Sequence, residues 1–268
     1  MEKKFKLGVI GAGYMATSII KGAISSKIID ESQLLVSDVL DASLEKIKRL
    51  GIETTRDNLF LANSCEYILF AVKPQNFNDL SKTIKGSLCK KFISIMAGVK
   101  ITTIKENLGE VLVVRCMPNA PCQVGNGAVG IDLSDFTEED DKLFVRNLFA
   151  SCADVIEVSE DKLGVVTGIS GSAPAYFYLF AKGIIEAGVQ NGLTKEQALR
   201  FVVNTMIGSG KMLLENNDKT IDELISSVCS KGGTTIEAIN VYNDNNLNEI
   251  SKKAVKACIK RSIELENL

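Results

Sequence analysis

The chain has 268 residues, of which 46% are hydrophobic and 24% charged, a globular composition that allows one large domain or two ordinary ones and excludes disordered and collagen-like classes. Its 31 basic and 33 acidic residues give a formal net charge of −2, so no global positive field exists to attract nucleic acid or an acidic membrane. There is no histidine, which excludes Ser-His-Asp and Cys-His nucleophile systems, a His-ligated zinc and a His general base. The seven cysteines, Cys65, Cys89, Cys116, Cys122, Cys152, Cys229 and Cys258, include no C-x-x-C pair. They read as reduced thiols acting as small hydrophobes, and no metal site is expected.

From Lys6 to about Glu157, short apolar runs alternate with helical patterns: Lys6–Ile10, Leu34–Val36, Tyr67–Val72, Phe92–Met96, Val111–Cys116 and Val129–Ile131. The central runs lack polar alternation, which suits strands covered on both faces of a parallel sheet. The first run leads directly into Gly11-Ala12-Gly13-Tyr14-Met15-Ala16, a G-x-G-x-x-A element, and then into a helical segment. Gly11 permits the tight turn, Gly13 lets backbone approach a pyrophosphate, and Ala16 allows close helix–sheet packing at a positive helix end. A glycine turn used only for packing is the plain alternative.

Asp38 follows the second run at Ser37, about 25 residues after the glycine turn, where an acid contacts adenosine ribose hydroxyls and repels a 2′-phosphate. Val39 stands where an arginine often neutralises that phosphate, although Arg56 could reach over from the next loop. This pattern favours NADH over NADPH; Asp38 could instead cap a helix starting near Ala42. Farther on, Lys73 and Pro74 follow the strand ending Ala71-Val72, so they should line the nicotinamide side of the crevice. Pro118-Asn119-Ala120-Pro121 makes a stiff loop, either structural or functional.

After about residue 160 the strand-like runs stop. Three segments, beginning at Thr194, Thr220 and Thr234, each place a capping threonine three residues before Gln197, Glu223 or Glu237. The uncharged stretch Leu163–Ala181 holds Thr167, Gly168, Ser170, Gly171, Ser172 and Pro174, so it reads as a turn followed by a buried helix rather than a membrane span. The helix near Pro174–Asn191 is apolar around most of its circumference and needs cover on nearly every side, which a second subunit would supply. Ser230-Lys231-Gly232-Gly233-Thr234-Thr235 then precedes a helix near Ile236. Its two glycines can expose backbone N–H groups to a small carboxylate, and its threonines add hydroxyls; a plain Thr234–Glu237 capping box is the alternative. The expected fold class is α/β: a Rossmann-type doubly wound, mostly parallel sheet (residues 1–159), then an all-helical substrate-binding and dimerisation domain (160–268).

Taken together, Gly11–Ala16, Ala71–Pro74, Arg115–Asn119, Gly168–Tyr176 and Gly232–Ile236 resemble the pyrroline-5-carboxylate reductase family over essentially the whole chain. The resemblance implies a cytoplasmic enzyme that reduces 1-pyrroline-5-carboxylate to L-proline, the final step of proline synthesis. It implies helical C-terminal regions interlocked into homodimers, which often assemble into larger rings such as decamers. It also implies that Ser37 and Asn58 contact the adenosine end of the cofactor, with Val72, Lys73, Pro74, Ala97 and Gly98 nearer the nicotinamide. Thr235 matches the threonine whose hydroxyl contacts the ring nitrogen, and the carboxylate would sit on the amides around Gly233 and Thr234, beside Ser230 and Gly232. Three positions depart from the pattern: Lys231 stands where proline is common, Ala173 where glycine is, and Ala120 where threonine is frequent. The alternatives are another reductase of this architecture, such as a β-hydroxyacid dehydrogenase with Lys182 as the nearest candidate acid, and a dinucleotide-binding module without turnover.

Overall fold

The computed structural model describes residues 4–266. Its strands are β1 (Phe5–Ile10), β2 (Leu34–Ser37), β3 (Glu53–Thr55), β4 (Cys65–Phe70), β5 (Lys91–Ser94), β6 (Leu112–Pro118), β7 (Gly127–Asp132) and β8 (Ala153–Glu157). They form one eight-stranded sheet in the order β3-β2-β1-β4-β5-β6-β7-β8, parallel except for the antiparallel β6–β7 pair. From β1 the chain first moves outward to β2 and β3, then returns to the other flank at β4. The carboxyl ends of β1 and β4 therefore border the crevice where open α/β sheets take ligands.

The pleat explains why the central runs are apolar throughout. Along β4, Tyr67 and Leu69 enter one buried cluster while Ile68 and Phe70 enter the other, since neighbouring side chains point to opposite faces. The first cluster includes Ile19 and Ile20 of α1 (Tyr14–Ser25), Ile47 of α2 (Asp41–Lys48) and Leu148 of α6 (Glu139–Ala150). The second includes Leu61 of α3 (Asn58–Ser64), Phe77 and Ile84 of α4 (Phe77–Ile84) and Ile104 of α5 (Ile101–Leu108). Two strands escape the sequence reading, β3 and β8. Both are sheet edges with mostly polar or half-exposed residues, and so lack the apolar run that marks a covered strand.

The second half is helical: α7 (Leu163–Val166), a π-helical turn (Thr167–Gly171), α8 (Ala173–Gln190), α9 (Lys195–Glu215), α10 (Ile221–Ser227), α11 (Thr234–Asp244) and α12 (Leu247–Leu265). By contacts the chain divides into two compact units, one running to Pro174 and rejoined from Cys258, the other Ala175–Ala257. Two of the three expected capping boxes form, Thr194 with Gln197 and Thr220 with Glu223. The third does not. Gly232 takes φ +70 and Gly233 becomes the N-cap, which places Thr234 inside the helix as its first residue.

The turn-then-helix reading of Leu163–Ala181 agrees with α7, the π turn and α8, but α8 is not buried within its own chain. Phe177, Tyr178, Leu179 and Phe180 are all exposed, Tyr178 by 67% and Leu179 by 72%, as are Phe201, Ile207 and Leu214 on α9. By length and composition alone, Glu160–Gln190 would pass for a membrane span. A contiguous apolar surface of this extent on a globular chain marks an interaction face.

Candidate active site

The glycine turn is built by close approach of backbone to backbone. Gly11 has φ +101, and a β-carbon there would lie 2.6 Å from the Ala71 carbonyl oxygen, so only glycine fits. Its amide donates to the Ser37 carbonyl at 2.8 Å, and the Ala71 amide donates to the Ile10 carbonyl at 2.9 Å. These bonds draw the ends of β1, β2 and β4 together. Gly13 is the N-cap of α1 without a side-chain cap, and a β-carbon there would have no described atom within 4 Å. Its surroundings form an open cradle beside uncapped amides, which fits a pyrophosphate. Ala16 is buried, Met15 packs on the core and Tyr14 projects outward.

At the end of β2, Asp38 uses both carboxylate oxygens on backbone. Oδ2 accepts from the Ala12 amide at 2.7 Å and Oδ1 from the Leu40 amide at 2.8 Å. It does not cap α2, whose N-cap is Leu40. The Ser37 hydroxyl donates to Asn58 Oδ1 at 2.7 Å, so the two residues assigned to the adenosine end are in contact. Arg56 is paired with Asp41 on the surface.

Beyond β4, Lys73 is the exposed N-cap of a 3₁₀ turn with Pro74 at its first position. Ala97 and Gly98 follow β5. Gly98 has φ +74, and a β-carbon there would lie 3.2 Å from Cβ of Leu265 near the end of α12. That end is held by a residue the sequence reading passed over as part of a motif. Arg115 of β6, 1% exposed, donates to Glu160 at 3.1 Å and to Glu266 at 2.6 Å, while Glu160 also accepts from the Ile101 amide at 2.7 Å. One guanidinium thus ties β6 to the start of α5 and the end of α12.

In the other unit, Ser230–Thr235 form a tight turn into α11. The Gly233 amide donates to the Ser230 carbonyl at 3.0 Å, and a β-carbon on Gly233 would strike the Ser230 hydroxyl at 2.3 Å. No described side chain caps α11. Its first amides, including those of Thr234 and Thr235, are free of that internal partner, and both threonines are exposed. Such a helix start can receive a carboxylate.

Two family models match the chain: one described as NADP oxidoreductase, coenzyme F420-dependent, over residues 6–98, and one described as pyrroline-5-carboxylate reductase dimerisation, over residues 160–265. The pyrroline-5-carboxylate reductase of Staphylococcus aureus (strain COL) is 35% identical over 268 residues, covering 98% of this chain and 98% of that protein. The chain belongs to the pyrroline-5-carboxylate reductase family. Among solved structures, the pyrroline-5-carboxylate reductase from Coxiella burnetii is similar with TM-score 0.89 and 33% identity, covering 98% of this chain and 99% of that one. The Plasmodium falciparum pyrroline carboxylate reductase, solved with NADP bound, is similar with TM-score 0.88 and 30% identity, covering 99% and 100%. As a pyrroline-5-carboxylate reductase family member, the chain is an oxidoreductase with a nicotinamide dinucleotide cofactor. The dimerisation match spans α8 and α9 and supports homo-oligomerisation of the chain.

Proposed function

We propose that this protein reduces 1-pyrroline-5-carboxylate to L-proline in the cytoplasm, with residues 1–159 holding the dinucleotide and 160–268 holding the substrate and the partner subunit. The observation that carries the reading is the uncapped start of α11, where Thr234 and Thr235 present free amides and two exposed hydroxyls. The substrate carboxylate sits on the amides around Gly233 and Thr234, beside Ser230 and Gly232. Lys231 adds a cation to that loop. The Thr235 hydroxyl hydrogen-bonds the ring nitrogen and so orients the imine carbon.

The bound dinucleotide supplies a hydride. The chain's own task is placement, because donor and acceptor carbons must be held about 3–3.5 Å apart. The cyclic imine is most electrophilic when its nitrogen is protonated, and a substrate that binds protonated needs no histidine acid. Gly11–Ala16 cradle the pyrophosphate; Ser37, Asp38 and Asn58 take the adenosine end; Ala71–Pro74, Ala97 and Gly98 take the nicotinamide end. NADH is favoured over NADPH, since the Asp38 carboxylate repels a 2′-phosphate and Arg56 is engaged by Asp41. The apolar faces of α8 and α9 close a homodimer core from which a larger ring such as a decamer can be assembled.

A β-hydroxyacid dehydrogenase reading gains no support from Lys182, which is exposed and 3.8 Å from Glu186. Thr235→Val removes the hydroxyl and keeps the shape. Turnover should fall about a hundredfold, in the range of proton-handling groups, with dinucleotide affinity unchanged. Unaltered turnover would refute the role given to Thr235.

A further inference from the structure

Residues 95–100 link β5 to α5 and carry Ala97 and Gly98, the pair assigned above to the nicotinamide end. The entry to this loop is tied to the neighbouring strands. The Ile95 amide donates to the Phe70 carbonyl at 3.1 Å, and the Met96 amide donates to the Ser94 hydroxyl at 3.3 Å. The exit is fixed from farther along the chain. Lys100, the N-cap of α5, supplies no side-chain cap, and the Ile101 amide that opens the helix donates instead to Glu160 Oε1 at 2.7 Å.

Arg115 governs that exit. Its Nη1 donates to the same Glu160 oxygen at 3.1 Å, and its Nη2 donates to Glu266 Oε1 at 2.6 Å. Glu266 continues the last turn of α12, its amide donating to the Ser262 carbonyl at 3.2 Å. The residue before it, Leu265, lies against the loop itself: a β-carbon on Gly98 would meet Leu265 Cβ at 3.2 Å and the Leu265 carbonyl carbon and oxygen at 3.3 Å. The end of α12 and residues 95–100 belong to the same compact unit.

One guanidinium, 1% exposed, therefore braces the loop from two directions. Through Glu160 it holds the start of α5, and through Glu266 it holds Leu265 on Gly98. The anchor is the sheet, since Arg115 pairs with Ser94 in the β5–β6 register. The planar fork of arginine suits two carboxylates at once. A buried ion pair adds little net stability over well-packed apolar residues, so what this double pairing supplies is a fixed position.

We propose that Arg115 is a positioning residue for hydride transfer: acting through Glu160 and Glu266, it fixes the Ala97–Gly98 loop against which the nicotinamide ring is placed. This inference rests on the assignment of Ala97 and Gly98 to the nicotinamide end. The adenosine end is assigned to Ser37, Asp38 and Asn58, so loosening the brace acts on the ring and spares the rest of the dinucleotide.

The test compares NADH with ADP-ribose, which lacks the nicotinamide ring, by titration calorimetry on the full-length protein, with turnover expressed per bound dinucleotide. Glu266→Ala frees the end of α12 while Arg115 keeps Glu160. It should weaken NADH about tenfold, leave ADP-ribose within about twofold, and lower kcat per site about tenfold or more, as a misplaced donor carbon does. Glu266→Gln keeps an acceptor for the guanidinium and should recover most of the NADH affinity. Glu160→Ala removes the other brace and should give the same selective loss, so the test stands even if Glu266→Ala misfolds.

Equal weakening of NADH and ADP-ribose would mark the clamp as merely structural and overturn the proposal, as would unchanged NADH affinity in both alanine variants. Ala97→Leu, a change in the loop itself, separates the two levels. Selective loss of NADH there with none in the clamp variants would refute the role of Arg115 alone; no loss in any of the three would remove the nicotinamide assignment as well. The binding comparison is independent of which imine is turned over.

Discussion

Oδ2 of Asp38 accepts a 2.7 Å hydrogen bond from the amide of Ala12. The acid at the end of the second strand is therefore joined to the glycine turn itself. It shapes the turn through hydrogen bonding and biases the adenosine end through its charge, and these two effects separate by mutation. Asp38→Asn keeps one acceptor, for the Ala12 amide, and removes the charge, while giving up the bond from the Leu40 amide. The ratio of kcat/KM for NADPH to that for NADH should rise about tenfold, the size expected from relieving one close charge repulsion. Asp38→Ala should weaken both cofactors. Steady-state kinetics with each cofactor check this, and an unchanged ratio in Asp38→Asn would remove Asp38 from cofactor choice.

Arg115 makes a separate claim on stability. Its guanidinium is fully buried between Glu160 and Glu266, so Arg115→Ala strands two partly buried carboxylates near a cavity. The expected cost is about 3–5 kcal/mol, the range for removing one partner of a buried ion pair. Urea unfolding monitored by circular dichroism measures it. A loss below about 1 kcal/mol would place the pair with ordinary surface bridges.

Acid should weaken the protein through Asp141. Burial raises its carboxyl, but hydrogen bonds from Lys91 and Tyr67, with the charges of Lys91 and Lys6, outweigh it and hold the group below its ordinary 3.8. A carboxylate whose native value is depressed contributes stability that is full above the unfolded value and is lost as pH falls through the native one. Asp141→Asn should therefore cost about 1.5–3 kcal/mol at pH 7, as for a charge-assisted hydrogen bond. The gap from the parent should narrow below about pH 4. Unfolding curves at pH 7, 5, 4 and 3 test this; a gap that widens toward acid would contradict it.

The exposed faces of α8 and α9 predict the assembly. Tyr178→Glu with Leu179→Glu sets two charges where apolar contact is required, and a buried unpaired charge is costly. Light scattering should show the parent protein at a multiple of 29.0 kDa and the double variant shifted to the monomer. A parent that runs as a monomer would break the link between these faces and assembly.

What could be read from residue order alone follows physical range. The glycine turn, the acid after β2 and the apolar central strands are local patterns and stand out in the sequence. The edge strands β3 and β8 are half-exposed and carry no apolar run, so only their pairing reveals them. Thr234 looked like a cap because spacing carries no backbone angle; the positive φ of Gly232 moves the helix start to Gly233. The Arg115 clamp joins residues 45 and 151 positions apart. That clamp leaves no periodic trace.

The most direct measurement is the oxidation of NADH and of NADPH by the purified protein supplied with 1-pyrroline-5-carboxylate, with the product identified by mass spectrometry. The predicted result is one proline formed per dinucleotide oxidised, faster with NADH. A folded protein that binds dinucleotide yet forms no proline with either cofactor would contradict the reductase reading.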